Sequence, residues 1–132
     1  MMQLPTDRLY TKDHEWACPL EGGVSVGITA FAVEHLGDIT LVELNVKVGD
    51  RVEQGKTFGT IESVKALSDL FAPVSGTITQ VNTELRDHPE IVNEDCYGRG
   101  WMVVVASSDL SLLSPDAYRG FLEEEAAKEA AK

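Results

Sequence analysis

A single lysine, Lys65, stands between two β-favouring runs of sequence, where its amine could serve as a nucleophile or as an attachment point. A lysine with an ordinary pKa of ~10.4 is neutral in only about one molecule in a thousand at neutral pH, so a lysine nucleophile needs an apolar or cationic pocket. Glu62 and Asp69 lie close to Lys65 in sequence and favour the charged ammonium instead. This pattern does not suit a Schiff-base nucleophile, but it suits an amine that another protein acylates.

The elements that must position Lys65 are a strand over 57–63 and a second strand that begins at Leu67. The short segment between them predicts a tight hairpin turn. Val64 and Ala66 flank the lysine, where they hold the turn and leave the amine open to approach. We expect the exposed hairpin around Glu62 to lie mostly on the side of Lys65 opposite to the other acidic residues discussed below.

A second group of polar side chains, Asp13, His14 and Glu15, directly precedes Trp16. Carboxylates in a cleft would pair with a cation that has left water, since burying an unpaired ammonium is costly. An ordinary solvated loop is the alternative, and the residues alone leave it open. Neither this group nor the distant histidines have the spacing of metal ligands, so we predict no metal site.

The composition predicts one soluble domain over residues 1–132. Apolar residues make up 43% of the chain, and the longest apolar run, at 102–106, is too short to cross a bilayer. The chain has 22 acidic and 11 basic residues and a net charge of −11, which opposes binding to nucleic acid. The same charge suits docking on basic patches of partner proteins, although it would also simply keep an abundant protein soluble.

The cysteines and the first residues indicate a reducing compartment. Cys18 and Cys96 are the only cysteines and lack the spacing of a zinc or redox motif, so we expect free thiols. Residues 1–9 lack the features of a secretory signal or a transit peptide. We expect a cytoplasmic bacterial protein, or a mitochondrial matrix protein if the chain is a processed eukaryotic form.

Further strands are expected on either side of the first helix. Runs at 9–16 and 24–29 predict two strands joined by a turn at 21–23. The run at 39–46 alternates poorly and predicts a strand that is buried on much of both faces.

Two helices complete the predicted elements. A short helix at 30–36 should end at Gly37 in the left-handed conformation. A second helix, near 115–128, has the start signals of Ser114, Pro115 and Asp116, and should pair Glu124 with Lys128. The core should span about 9–122, with mobile tails at 1–8 and about 126–132.

Seven segments along the chain resemble those of one known family. In chain order they are Tyr10–Trp16, Val26–Thr29, Leu36–Ile39, Val42–Leu44, Glu62–Ala66, Pro73–Gly76 and Val92–Asp95. Together they resemble the H protein of the glycine cleavage system over nearly the whole chain. The family usually has proline at the position of Cys96, where this chain departs from the pattern.

The resemblance implies a mainly β fold, a flattened antiparallel β-barrel or sandwich of the lipoyl and biotinyl type, the barrel-sandwich hybrid. It also implies (R)-lipoic acid covalently attached to Lys65 as N6-lipoyllysine. Glu62, Val64 and Ala66 would then be the residues that a lipoate ligase or transferase recognises. Biotin carriers differ, because they place methionine on both sides of the lysine.

In the family, the residues that match Glu15, Asp69 and Asp13 line a cleft that binds the aminomethyl-bearing arm. The position of Asp13 is often serine. By resemblance the arm visits glycine decarboxylase (P protein), aminomethyltransferase (T protein) and dihydrolipoyl dehydrogenase (L protein). The carrier itself is not an enzyme, and we expect a monomer with no nucleic-acid or membrane partner.

Two alternative functions remain open at this point. One is a lipoate relay protein or another lipoylated carrier. The other is an unmodified β-rich interaction domain that keeps the scaffold without the arm. Glu15 and Asp69 favour the glycine cleavage carrier, since neither alternative needs carboxylates that receive an ammonium.

Overall fold

The computed structural model describes residues 4–107 and 111–130, which form nine strands and four helices. The strands are β1 (Leu9–Tyr10), β2 (Glu15–Leu20), β3 (Gly23–Ile28), β4 (Ile39–Leu44), β5 (Arg51–Val52), β6 (Thr57–Ser63), β7 (Leu67–Phe71), β8 (Gly76–Val81) and β9 (Val103–Ala106). The helices are α1 (Ala30–Leu36), α2 (Glu84–Asp87), α3 (Ile91–Glu94) and α4 (Pro115–Ala130).

Two antiparallel sheets make up the fold. The larger sheet has the strand order β1-β2-β3-β9-β8-β5, and the smaller has the order β4-β6-β7. One apolar cluster joins them, because it contains Val26 and Val105 of the larger sheet and Ile61 and Leu70 of the smaller. The mainly β antiparallel fold is therefore confirmed, but in the described residues the sheets do not close into a barrel.

The hairpin around Lys65 forms as predicted, from β6 and β7. Ile61 and Leu70 point into the core, while Glu62 and Leu67 pair with each other on the outer face. This alternation fixes the register, since a shift by one residue would bury the acidic side chain.

The predicted strand at 9–16 is wrong, because the chain turns sharply between β1 and β2. The Thr11 hydroxyl accepts hydrogen bonds from the backbone N–H groups of Asp13 and Glu15 at 3.1 and 3.2 Å. His14 adopts a positive φ of 68°. Local bonds from a threonine hydroxyl thus replace the ladder bonds of a continuous strand.

The predicted double burial of the strand at 39–46 is also wrong. β4 is an edge strand of the smaller sheet, and Thr40, Leu41 and Glu43 on it are exposed. Ile39 and Val42 alone are buried there, and the register shifts between Ile39 and Leu41. The poor alternation in the sequence reflects this irregularity rather than two covered faces.

Helix α1 has the predicted bounds, with the Thr29 hydroxyl accepting a hydrogen bond from the N–H of Ala32 as its N-cap. Gly37 follows the helix with φ 76° and ψ −149°, so its φ is positive but its conformation is not left-handed helical. This region of the backbone is open almost only to glycine.

Helix α4 starts at Pro115 as predicted, and the Ser114 hydroxyl accepts a hydrogen bond from the N–H of Ala117. It continues to Ala130. Lys128 pairs with Glu125 and not with the predicted Glu124. The predicted tails at 1–8 and 126–132 lie partly outside the described residues, at 1–3 and 131–132, and their mobility stays a prediction.

Helices α2 and α3 were not predicted. Each is a single turn in a polar segment, and their buried residues are Leu85 in α2 and Ile91 and Val92 in α3. Tertiary burial of these few apolar side chains, rather than a periodic pattern, stabilises them.

A second apolar cluster attaches α4 to the start of the chain. It contains Leu4, Tyr10, Trp16 and Tyr118, all buried. The rings of Tyr10 and Tyr118 stack at a centroid distance of 4.9 Å. Helix α4 therefore packs directly on the strands that enclose the turn at 11–14.

Candidate functional site

The turn that carries Lys65 is fixed by the side chain of Ser63. The Ser63 hydroxyl accepts hydrogen bonds from the N–H groups of Lys65 and Ala66 at 3.2 and 3.1 Å. The N–H of Val64 donates to the carbonyl of Asp38 at 3.0 Å, which ties the turn to the segment after α1. The sequence analysis missed Ser63, although a serine two residues before the turn residue is typical of such a local bond.

The amine of Lys65 is accessible. Lys65 and Ala66 are exposed, and the residue Val64 is 67% exposed. The lysine side chain extends past Gly37, where a Cβ atom would lie 3.3 Å from its Cε and 3.8 Å from its Nζ. The absence of a side chain at Gly37 therefore leaves room for the lysine to cross the end of α1.

A cleft of about 380 Å³ lies between the turn at 11–14, helix α1 and strand β7. It brings together the three predicted carboxylate residues Asp13, Glu15 and Asp69. The remaining lining residues are Lys12, His14, Ile28, Ala32, His35, Leu36, Ile61, Ser68, Leu70 and Phe71. Lys65 does not line the cleft, but Leu36 in its wall is the neighbour of Gly37, which Lys65 contacts.

Glu15 is the buried acid of the cleft, with 2% of its surface exposed. Its Oε1 accepts a hydrogen bond from the Thr11 hydroxyl at 2.6 Å. Burial raises the pKa of Glu15 to about 7, although the Thr11 and Phe71 hydrogen bonds oppose the shift. A carboxyl so buried is suited to a cationic partner, because pairing offsets the loss of hydration.

Asp69 is exposed and lies at the rim of the cleft. It pairs with Thr60 across the hairpin, and Glu62 pairs with Leu67. Since residues two apart on a strand share a face, Asp69 and Glu62 lie on the same outer face of the smaller sheet. The expectation that Glu62 lies on the opposite side from the cleft acids is therefore wrong for Asp69. The register between β6 and β7 places the two acids on one face, and this register was not predicted from the sequence.

Two histidines, His14 and His35, also line the cleft. Both imidazole rings pack against the ring of Phe31, at centroid distances of 4.5 and 4.1 Å. Burial lowers the pKa of His14. The sequence analysis assigned these histidines no role in a cleft, because nothing in their spacing shows that α1 packs beside the turn.

No cluster of three or more His, Cys, Asp or Glu residues with the geometry of a metal site occurs within the described ranges. Cys18 and Cys96 are free, as expected. Among the helices at 4–107 and 111–130, none is long and apolar enough to span a membrane.

Two antiparallel sheets that display an exposed lysine at a hairpin turn define a carrier domain of the lipoyl and biotinyl type. The sequence model of the glycine cleavage H-protein matches residues 8–127. This chain belongs to the glycine cleavage H-protein family. Proteins of this family are lipoate-bearing carrier components of the glycine cleavage system and are not catalysts by themselves.

Similar proteins support the same assignment. The chain is 53% identical to the glycine cleavage system H protein of Rubrobacter xylanophilus over 95% of this chain and 99% of the relative. It is 50% identical to the probable glycine cleavage system H protein of Haloarcula marismortui, over 91% and 97%. A crystal structure of the Mycobacterium marinum H protein superposes with a TM-score of 0.82 at 44% identity, over 89% and 97%.

Proposed function

We propose that Lys65 is the N6-lipoyllysine of this carrier and that the arm shuttles the aminomethyl group of glycine. The group would pass from the pyridoxal-phosphate-dependent glycine decarboxylase to the tetrahydrofolate-dependent aminomethyltransferase. Dihydrolipoyl dehydrogenase would then reoxidise the carrier. The observation that carries this proposal is an exposed lysine at a hairpin turn beside a cleft with one buried carboxyl.

The residues around Lys65 fit a covalently attached (R)-lipoic acid. When bound, this group supplies a dithiolane that accepts the aminomethyl group as it is reduced. The exposed turn and the open path over Gly37 give the attached chain access both to partner proteins and to the cleft. A tether raises the local concentration of a reactive group, so the hairpin can serve three active sites in turn.

The cleft residues would hold and protect the cationic end of the arm. Glu15 provides a carboxylate in a setting with little water, where attraction to an ammonium is strong. Asp69 and Asp13, both exposed residues of the cleft lining, would add negative charge. Excluding water from the cleft also slows hydrolysis of the bound group.

The outer face of the hairpin would be the surface that a lipoate ligase or transferase recognises. Glu62 lies there beside Leu67, which is 69% exposed, and Val64 and Ala66 flank the lysine. Exposed apolar side chains next to an acid offer both contact area and charge to a partner.

We place this carrier in the cytoplasm of a bacterium, or in the mitochondrial matrix if the chain is a processed eukaryotic form. We propose a monomeric single domain over 1–132. The buried Glu15 supports the glycine cleavage carrier over a lipoate relay protein, because a relay needs no carboxyl that receives a cation.

Lys65→Ala tests the attachment site. We expect it to abolish both lipoyl incorporation and glycine–bicarbonate exchange with unchanged circular dichroism, because the exposed side chain contributes little to the core. Lys56→Ala is the control, since Lys56 is an exposed lysine at the other end of the same hairpin. Lipoate mapped to Lys12, Lys47 or Lys56 would contradict the assignment.

Glu15→Gln and Asp69→Asn test the cleft. Purified lipoylated variants should release the aminomethyl load to water faster than the wild type, by about tenfold for Glu15→Gln, which loses a charge-assisted contact. The rate is measured by mass spectrometry of the loaded protein in buffer without partner enzymes. Glu43→Gln is the control, because Glu43 is an exposed acid of the same sheet that does not line the cleft. Decay of all variants at the wild-type rate would show that the acids do not protect the arm.

A further inference from the structure

A residue of the C-terminal helix α4 contacts the turn at 11–14 and helps to fix its conformation. Among the described residues His14 alone, apart from glycines, has a positive φ, which costs energy for a residue with a Cβ. Its N–H donates to Thr11 O at 3.2 Å, and its carbonyl accepts from Thr29 N at 2.9 Å. Its ring Nδ1 lies 2.7 Å from the Tyr118 hydroxyl of α4. Backbone and ring together fix this unfavourable conformation.

The direction of the hydrogen bonds follows from the number of available protons. Thr29 and Tyr118 are fully buried, and their hydroxyl oxygens lie 3.0 Å apart. If Tyr118 donated to Thr29, the buried Thr29 proton would have no acceptor among the described residues, which is costly. The satisfied arrangement has Thr29 donate to Tyr118 and Tyr118 donate to Nδ1 of His14. Nδ1 is then an acceptor, and the ring proton resides on Nε2.

The surroundings of the ring favour its neutral form. The aromatic rings of Phe31 and Phe121 lie 4.5 and 6.0 Å from His14. Burial and the neighbouring His35 lower the pKa of His14, and they outweigh the opposing charges of Asp13 and Glu125. A neutral imidazole keeps the single proton that the hydrogen-bond pattern assigns to Nε2.

His14 stands between Asp13 and Glu15, and all three residues line the cleft. The geometry points to Tyr118 as a positioning residue of the carboxylate cleft: its hydroxyl holds His14 as the Nε2–H tautomer, and His14 holds the turn that presents Glu15. The claim rests on the proposed function only where it concerns the aminomethyl-bearing arm. Helix α4 is then part of the site, although none of its residues lines the cleft.

This arrangement leaves a neutral N–H donor on a residue that lines the same cleft as the carboxyl groups. Nε2 of His14 makes no hydrogen bond to the described residues, and it is not among their buried unsatisfied atoms. A ligand that carries a cation next to an acceptor atom, such as sulfur or a carbonyl oxygen, would match both groups.

Tyr118→Phe is the test, with Tyr10→Phe as its matched control. Both tyrosines are fully buried, and their rings stack on each other. Tyr118→Phe removes a hydroxyl that contacts both His14 and Thr29, whereas Tyr10→Phe removes a hydroxyl with one partner. The Tyr10 hydroxyl donates to the carbonyl of Pro5 at 2.6 Å and does not contact His14. The control therefore shows the effect of losing a buried hydroxyl from this pair of rings, and a further change at the cleft in Tyr118→Phe arises from the lost contacts with His14 and Thr29.

The first measurement is the ¹⁵N NMR spectrum of the His14 ring in the unmodified protein, so it does not depend on lipoylation. We expect a protonated Nε2 in the wild type and in Tyr10→Phe, and a mixture of tautomers in Tyr118→Phe. A wild-type proton on Nδ1, or an unchanged spectrum in Tyr118→Phe, would overturn the proposal.

The second measurement is the decay of the aminomethyl-loaded form in buffer. Tyr118→Phe should decay about fivefold faster than Tyr10→Phe, the factor expected for one neutral hydrogen bond. Equal decay rates would overturn the link between α4 and the cleft. If no lipoylated protein is obtained, the proposed function fails, while the NMR spectrum still decides the role of Tyr118.

Discussion

Burial of the Glu15 carboxyl lowers the stability of the protein at neutral pH, because a carboxylate in the cleft wall loses much of its hydration. The pKa is raised from the ordinary 4.5 to about 7, so between these values the folded chain binds a proton that the unfolded chain releases. The stability contributed by the neutral form is fully present below about pH 4.5 and is lost as the pH rises through about 7.

Glu15→Gln removes this titration and keeps an oxygen that accepts the Thr11 hydrogen bond. Relative to the variant, the wild type should lose up to roughly 3 kcal/mol of unfolding free energy between the two ends of this pH range. Urea unfolding of both proteins at several pH values measures the difference in their unfolding free energies. The contributions of the other titrating groups are common to both proteins and cancel in this difference. Parallel pH profiles would contradict a raised pKa for Glu15.

At the residue scale, the sequence indicates candidate side chains but not their surroundings. Lys65 is a candidate because it stands alone between two strand-forming runs, whereas Glu15 is a candidate only through the family resemblance, since the polar run at 13–15 left a solvated loop open. The burial of Glu15 and its bond to Thr11 depend on how α1 and β7 pack against the turn, which no local pattern encodes.

At the scale of elements, period-two alternation and helix caps are the sequence patterns whose predictions agree with the structure. The hairpin of β6 and β7 and the starts of α1 and α4 follow from them. The errors occur where tertiary contacts replace local preference. Side-chain bonds break the strand at 9–16, an irregular edge disturbs β4, and a few buried residues form α2 and α3.

Gly37 lies between the end of α1 and the side chain of Lys65, the proposed attachment site. Gly37→Ala should destabilise the fold by about 1–3 kcal/mol, because an alanine at this φ and ψ is strained. The new Cβ would also crowd the Lys65 side chain at 3.3 Å, so lipoylation by a ligase in vitro should be slower.

Gly55→Ala is the matched control for Gly37→Ala. Gly55 also has a positive φ, of 87°, but a Cβ there meets no atom within 4 Å. It should lose stability and retain the wild-type rate of lipoylation. Equal rates of lipoylation in the two variants would show that Gly37 does not guide the lysine.

At the scale of the whole molecule, two apolar clusters stabilise different parts of the fold. The larger joins the two sheets and supports the hairpin, while the smaller attaches α4 to β1 and β2. The larger cluster also lines the cleft, through Ile28, Leu36, Ile61 and Leu70. The smaller cluster meets the cleft through the contact of Tyr118 with His14. With a net charge of −11, the chain would be attracted over long range to any basic partner surface, and this attraction would weaken as salt rises.

The central claim is that this chain carries its cofactor on Lys65 and on no other residue. Intact-mass spectrometry and peptide mapping of protein isolated from its native host test this claim most directly. We predict a single lipoyl group, located on the peptide that contains Glu62 to Ala66. Protein that is uniformly unmodified in cells active in glycine cleavage, or that bears lipoate on another lysine, would contradict the claim.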